Sequence, residues 1–541
     1  MLLLGIITLV MTIPLASVYL SSILIHRIAF LILLLSGLLS YNTLYVTPLS
    51  TGVGLLGGLF QTTLLSQSLE IFILILGSII LLLVPEGKNY KLNTNSTLST
   101  DFAISSDKNI GSENNETSNL GKYWDNITSN VKGNLTTSNL IETGNTGLKD
   151  YPLIILFTTL GMSSLISCSD LITMFLAIEL QSFALYILAT MNRNSESAVA
   201  AGLKYFLLGG LSSCFILLGS TLIYSYTGLT NFESLNILQS VTSQSFGENT
   251  YNYLAIGCII LTIGFLFKIG AAPLHSWAPD VYDGVPTIVT TWLTIMPKLS
   301  ILIFFMMNNF LLEPNLLMIS ALLSLLLGSI TGLAQYKIKR LLAYSTISHV
   351  GLILLALGNE SINGLESTIF YILQYSITSL NIFLIIVLLG YTLSKENVIS
   401  KYSPIQLISQ LRGQFFNNPA LSIALSLSLF SMSGIPPLIG FFGKYFVINS
   451  ALMNGNYFLS LVVILTSVIS TVYYLLVVKT LFLPSKTTII DSNSSIINSN
   501  NLSPILTYIV AILTLFIIFF IIYPTPILNS IHLIALHTYY W

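Results

Sequence analysis

Charge is scarce in this sequence. Only 8% of its 541 residues are Asp, Glu, Lys or Arg, against about 25% in a soluble domain. With 54% hydrophobic residues, that shortage excludes an ordinary soluble domain and points to a chain that lives in lipid. An excess of either sign is missing as well. The net charge of −1 leaves no basic surface for nucleic acid. Cysteine is nearly absent: Cys168, Cys214 and Cys258 are far apart, with no CxxC or Cys/His cluster, which argues against zinc and iron–sulfur sites. No Walker A sequence occurs. Residues 52–57, GVGLLG, match G-x-G-x-x-G but have no preceding strand and no ribose-binding acid. They read as small residues packing helices in a membrane segment. The start, MLLLGIITLV, has no basic n-region, no A-x-A site and no Arg-rich character. It reads as a first spanning helix rather than a cleaved signal or transit peptide.

What the chain does have is apolar runs. They fall at 3–23, 27–46, 60–84, 152–169, 171–191, 199–224, 253–275, 286–308, 316–335, 341–358, 364–394, 419–450, 457–480 and 504–524. At about 20 residues per crossing this predicts an all-α polytopic membrane protein of about 14 transmembrane helices. Two helices meet in a tight turn at Cys168-Ser169-Asp170. The expected organisation is an N-terminal three-helix segment (1–85), a polar insert (86–150), two helical repeats (151–308 and 316–480), and a loop with a C-terminal helix (481–541). The insert is rich in Asn, Ser and Thr and buries little, so no function is predicted for it. Its N-x-S/T sequons at Asn95, Asn115, Asn126 and Asn134, and the polar patch at 491–501, read as surface.

The cations outside the runs are not scattered. Apart from those in the insert they are Arg27, Arg193, Lys337, Lys339, Arg340, Lys395, Lys401, Arg412, Lys479 and Lys486. All follow odd-numbered spans. The positive-inside rule then places those connections, and the insert, on one face and both termini on the other.

Five ionisable residues lie within runs: Glu179, Lys204, Lys268, Lys298 and Lys444. Each costs about 2.5–3.5 kcal/mol at a helix centre on insertion scales. One acid cannot neutralise four cations, and a desolvated lysine exchanges its proton more readily than one in water. A proton relay therefore explains the set better than a purely structural network. His275 and His349 are possible further members, because imidazole titrates near neutrality. Glu70, in LSQSLEIFILILG, is a sixth charge, expected to face a neighbouring helix or partner subunit.

Proline marks where these spans are interrupted. Pro273 follows Lys268 by five residues, and a proline removes a helix hydrogen bond and frees carbonyls in the preceding turn. Such a break survives in hydrocarbon only where protein or a cavity covers it. Gly270-Ala-Ala-Pro273-Leu274 is echoed by Gly434-Ile-Pro-Pro437-Leu438. Two broken spans, the seventh and the twelfth, lie five apart. That predicts two inverted five-helix repeats, spans 4–8 and 9–13.

FKIGAAPLHSWAPDVYDGVPTIVTTWLTIMPK, KRLLAYSTISHVG and LFSMSGIPPLIGFFGKYF together resemble the antiporter-like membrane subunits of proton-pumping NADH:ubiquinone oxidoreductase, respiratory complex I. The resemblance spans about residues 150–480. Within that family, LKYFLLGG around Lys204, a lysine at Lys444, and no long lateral C-terminal helix favour one of the three antiporter-like subunits. The resemblance implies a mitochondrially encoded, fungal-type protein of the inner membrane, with the insert and basic loops on the matrix side. It implies that Glu179 and Lys204 lie on the intake side of a hydrophilic axis and that Lys268 pairs with Glu179. Lys298 would be the central relay, His349 the next member, and Lys444 the end of the axis. NADH, FMN, iron–sulfur clusters and ubiquinone would bind other subunits. The partners implied are a neighbouring antiporter-like subunit, small membrane subunits and lipid. The same arrangement would also serve a free-standing cation/proton antiporter or an inert spacer.

Overall fold

A computed structural model describes residues 1–15, 22–45, 52–83, 146–193, 195–245, 248–393, 405–484 and 504–540. The sequons, most of the polar insert and the 491–501 patch lie outside the described residues. The chain is helical and begins with α1 (Leu2–Leu15), α2 (Ser22–Thr43) and α3 (Leu64–Leu81). The first repeat holds α4 (Thr146–Ser167), α5 (Leu171–Thr190), α6 (Glu196–Thr227), an amphipathic α7 (Phe232–Ser245), α8 (Glu248–Ile269), α9 (Trp277–Gly284) and α10 (Thr287–Met307). The second holds α11 (Pro314–Leu333), α12 (Ile338–Leu357), α13 (Ile362–Leu393), α14 (Pro419–Ser433), α15 (Ile439–Met453) and α16 (Tyr457–Phe482). The chain finishes with α17 (Pro504–Phe519) and α18 (Thr525–Tyr540).

Among the described residues, ten helices are long and apolar enough to cross a membrane whole. The shorter α1 and α17, with the interrupted pairs α8/α9 and α14/α15, complete the fourteen expected spans. Three features differ from expectation. Residues 52–62 are not a helix-packing segment. Val53–Leu55 (β1) and Phe60–Thr62 (β2) pair antiparallel, with Gly57 and Gly58 at positive φ in the turn. Positive φ is cheap only for glycine, so the glycines serve a hairpin. Helix α4 begins inside the supposed insert, and α18 follows Pro524, where the apolar run had ended.

Both breaks are built alike. Helix α8 ends at Gly270 (φ 77°) and α14 at Gly434 (φ 87°). The amides of Gly270 and Ala271 both donate to Leu266 O, as those of Gly434 and Ile435 do to Phe430 O. These are Schellman-type ends, and the prolines that follow prevent the helix from resuming. Pro273 and Pro437 each follow a cis peptide bond.

The repeats also match in backbone pairing. The turn between α4 and α5 bridges the segment after α6, Asp170 to Asn231. The turn between α11 and α12 bridges the segment after α13, Lys337 to Leu407. A methyl at Gly161 on α4 would meet the Gln181 backbone nitrogen at 2.7 Å, and one at Gly328 on α11 would meet that of Ser348 at 2.7 Å. These shared positions align α5 with α12, which pairs Thr346 with Glu179 and His349 with Ser182. Five crossings separate the repeats, so equivalent turns lie on opposite faces, one carrying Asp170 and the other Lys337, Lys339 and Arg340.

The two repeats meet at the centre. In an 18-residue apolar stretch of each of α10, α12 and α13, 94%, 89% and 89% of the residues are buried, against 28% in α6. The polar side chains midway along the central helices, among them Lys298, His349 and Asn381, are therefore shut off from the outside.

Candidate functional site

Lys268 sits in the last turn of α8, two residues before the break. Its Nζ donates to Glu179 Oε1 at 3.1 Å and to Ser182 Oγ at 3.2 Å, both on α5. The lysine and glutamate side chains are only 8% and 15% exposed. The carbonyl of Phe267, which also accepts from the Gly270 amide at 3.1 Å, accepts from Trp277 Nε1 at 2.9 Å, so the indole of α9 seals the break. A cavity of about 20 Å³ opens beside Lys268, bordered by Ser182, Tyr186, Tyr205, Trp277 and Pro297. It has room for one water between the ion pair and the residue preceding Lys298.

Lys298, on α10, is 2% exposed. Its Nζ donates to Thr346 Oγ1 on α12 at 3.0 Å and lies 5.5 Å from the centre of the Tyr282 ring. That hydrogen bond links the repeats. One turn along α12, His349 Nδ1 lies 2.6 Å from Tyr371 OH and Nε2 lies 3.1 Å from Tyr474 OH. Tyr371 in turn faces α15, where a methyl at Gly443, next to Lys444, would meet its Cδ2 at 3.2 Å. Lys444, on α15, donates to Ser433 O at 2.7 Å, so its ammonium caps a carbonyl freed by the second break. Its stem lies over Gly434, where a methyl would meet Lys444 Cδ at 2.8 Å.

The fold thus assembles, from residues scattered over α5, α8, α10, α12 and α15, a buried set in the order Glu179, Lys268, Lys298, His349, Lys444. Buried ion pairs are weak stabilisers, since desolvation offsets much of their attraction. A set with four basic members and one acid gains less still. What it offers chemically is a series of groups that can each take and give a proton.

The family described as "NADH:quinone oxidoreductase/Mrp antiporter, TM" matches residues 168–470, the part holding these groups. A Rhizopus oryzae protein named NADH-ubiquinone oxidoreductase chain 2 is 49% identical, with 100% of each chain covered. The chain belongs to this family, as a chain 2 member. Chain 2 of Marchantia polymorpha is 38% identical over 71% of this chain and 76% of its own length. Among solved structures, a chain of respiratory complex I from Thermus thermophilus matches in fold with a TM-score of 0.71 and 24% identity, covering 98% of this chain and 99% of that one. Family membership and the spans together make it a multi-pass protein of the mitochondrial inner membrane.

Two candidate members do not join the buried set. Lys204 is 55% exposed and pairs with Asp280 at 2.9 Å. Helix α6 has 32 residues, about 48 Å at 1.5 Å each, more than a bilayer core of about 30 Å needs. A residue in its third turn therefore need not be deep. His275 lies on the break, half-buried, with Nδ1 3.3 Å from Pro273 O rather than beside Lys268. The helix does not persist past Gly270, so the two-turn spacing that would have aligned them is lost.

Sequence reading also missed an ion network. Asp280 holds Lys204 and Arg340 (2.7 Å), and Asp283 holds Lys337 (2.7 Å) and Arg340 (3.3 Å). Lys339, 3% exposed, donates to Val285 O at 2.7 Å. The signal was present: Asp280 and Asp283 are three apart in WAPDVYDGVP, on one helix face opposite the KIKR group. Ser182, Thr346, Tyr371 and Tyr474 carried no signal of their own. Hydroxyl residues are frequent in this chain, and only packing selects these four.

Proposed function

We propose that this chain is a core membrane-arm subunit of proton-pumping NADH:ubiquinone oxidoreductase, translocating protons through Glu179, Lys268, Lys298, His349 and Lys444. Electron transfer from NADH to ubiquinone elsewhere in the complex drives the charge changes. No redox chemistry occurs in this chain, and NADH, FMN, iron–sulfur clusters and ubiquinone bind other subunits. Lys204 and Asp280 stand at the exposed intake end, with His275 beside the break as a peripheral group. The subunit packs beside a neighbouring antiporter-like subunit, small membrane subunits and lipid. The basic connections lie on the matrix side and both termini on the intermembrane-space side.

The observation that carries this reading is the buried Lys298–Thr346 bond at the junction of the repeats. Among the described residues no carboxylate contacts that ammonium, so its charge is conditional on its neighbours rather than locked by a partner. Moving one proton against 100 mV takes about 2.3 kcal/mol, comparable to a change of under two pKa units. The test is Lys298→Met in the assembled complex, with proton uptake by sealed vesicles read by a pH dye. Coupled uptake should be lost while the complex still assembles. Full coupled uptake would leave an inert spacer as the better description.

A further inference from the structure

Helix α13 carries polar side chains that the relay above does not use. Asn381 is fully buried, and neither Nδ2 nor Oδ1 has a hydrogen-bond partner among the described residues. Gln374 is 2% exposed and its Oε1 likewise has none. Residues seven apart on a helix share a face, so the two amides point the same way, about 10 Å apart along the axis. Thr378 lies between them on that stripe.

Contacts show what the stripe faces. A methyl at Gly443, beside Lys444, would meet Gln374 Oε1 at 3.0 Å. Thr378 Oγ1 donates to Met432 Sδ at 3.3 Å, and Met432 immediately precedes Ser433, whose carbonyl holds Lys444. The stripe therefore starts at the second break and runs toward the C-terminal end of α13. Helix α13 returns along α12 after the short turn at 358–361, so its C-terminal end lies at the face where α12 begins and Lys337 and Arg340 meet Asp280 and Asp283.

A purely structural asparagine in this place would be bonded to protein, because a buried amide left without partners is disfavoured. Buried water is what normally satisfies such groups, and one amide presents a water with both a donor and an acceptor. We propose that Asn381 holds buried water and, with Gln374 and Thr378, forms a hydrated branch that connects Lys444 to the face bearing the Lys337–Arg340 cluster. The branch rests on the relay reading above. Asn381 is a positioning residue in it, since it orients water and does not itself take the proton.

The test uses the intact complex with Asn381→Leu, which matches the side chain in size and cannot hold water, and Asn381→Ser, which can. Proton uptake per NADH oxidised is measured in sealed vesicles and normalised to the amount of complex. High-resolution maps of the unaltered complex are inspected at the Asn381 amide. Expected are solvent density within hydrogen-bond distance of that amide, reduced uptake per NADH for Asn381→Leu, and recovery with Asn381→Ser. A dry Asn381 amide, or unchanged uptake in Asn381→Leu, overturns the proposal. Should Asn381→Leu fail to assemble, the maps and Asn381→Ser decide. Lys298→Met is run in parallel. If it alone depresses pumping, the branch fails and the relay stands, whereas normal pumping in both removes the relay itself.

Discussion

Thr346 occupies in the second repeat the place that Glu179 occupies in the first, and Lys298 donates to it at 3.0 Å. The first repeat pairs its lysine with a carboxylate. The junction pairs its lysine with a neutral hydroxyl. One site is thus a closed ion pair, and the other is a charge open to its surroundings.

Thr346→Val should remove that acceptor while keeping the shape. A hydrogen bond to a charged group contributes about 1.5–3 kcal/mol, so the purified complex should unfold at a lower temperature. Coupled proton uptake should fall, and Thr346→Ser should restore both. Wild-type uptake in Thr346→Val would show that the bond has no part in transfer.

Lys268→Met and Glu179→Gln should each destabilise by about 3–5 kcal/mol, because each strands a buried partner. The double variant should cost much less than their sum, the mark of a direct pair. Denaturation of all four forms completes the cycle, and simple additivity would contradict the contact.

Gly161→Ala and Gly328→Ala should both impair assembly. Each methyl meets a backbone nitrogen at 2.7 Å, and backbone cannot rotate away. Overpacking of this kind costs about 1–3 kcal/mol or more. Gly443→Ala meets only side-chain atoms, Gln374 Oε1 at 3.0 Å and Tyr371 Cδ2 at 3.2 Å. It should assemble better than the other two, as the amount of complex on native gels would reveal.

Lys204→Gln should change stability by no more than about 1 kcal/mol, the range for exposed ion pairs. Asp280 keeps Arg340 after the change. Asp283→Asn should matter more, since it loosens Lys337 and Arg340 together. Thermal shifts at low and high salt would separate the two, because screening acts on exposed pairs first.

The spans and both broken helices could be read directly from the residues. Hydrophobic run length, cation placement and Gly–Pro pairs act within a few turns of chain, and lipid leaves few alternatives to a helix. The hairpin at 53–62 was misread for the same reason. Its glycines and leucines look like span residues, and only the pairing of two three-residue strands distinguishes them.

Sequence alone determined that six charges fall within apolar runs and that two helices must open near two of them. Tertiary structure decided which of those charges meet. Glu179 and Lys268 are 89 residues apart, and Lys298 and Thr346 are 48 apart. No local rule links such positions, whereas helix packing brings the first pair to 3.1 Å and the second to 3.0 Å. It also drew Lys204 out to Asp280 and placed His349 between two tyrosines. A residue's type sets the cost of burying it, but depth, facing and partner are properties of the assembled bundle.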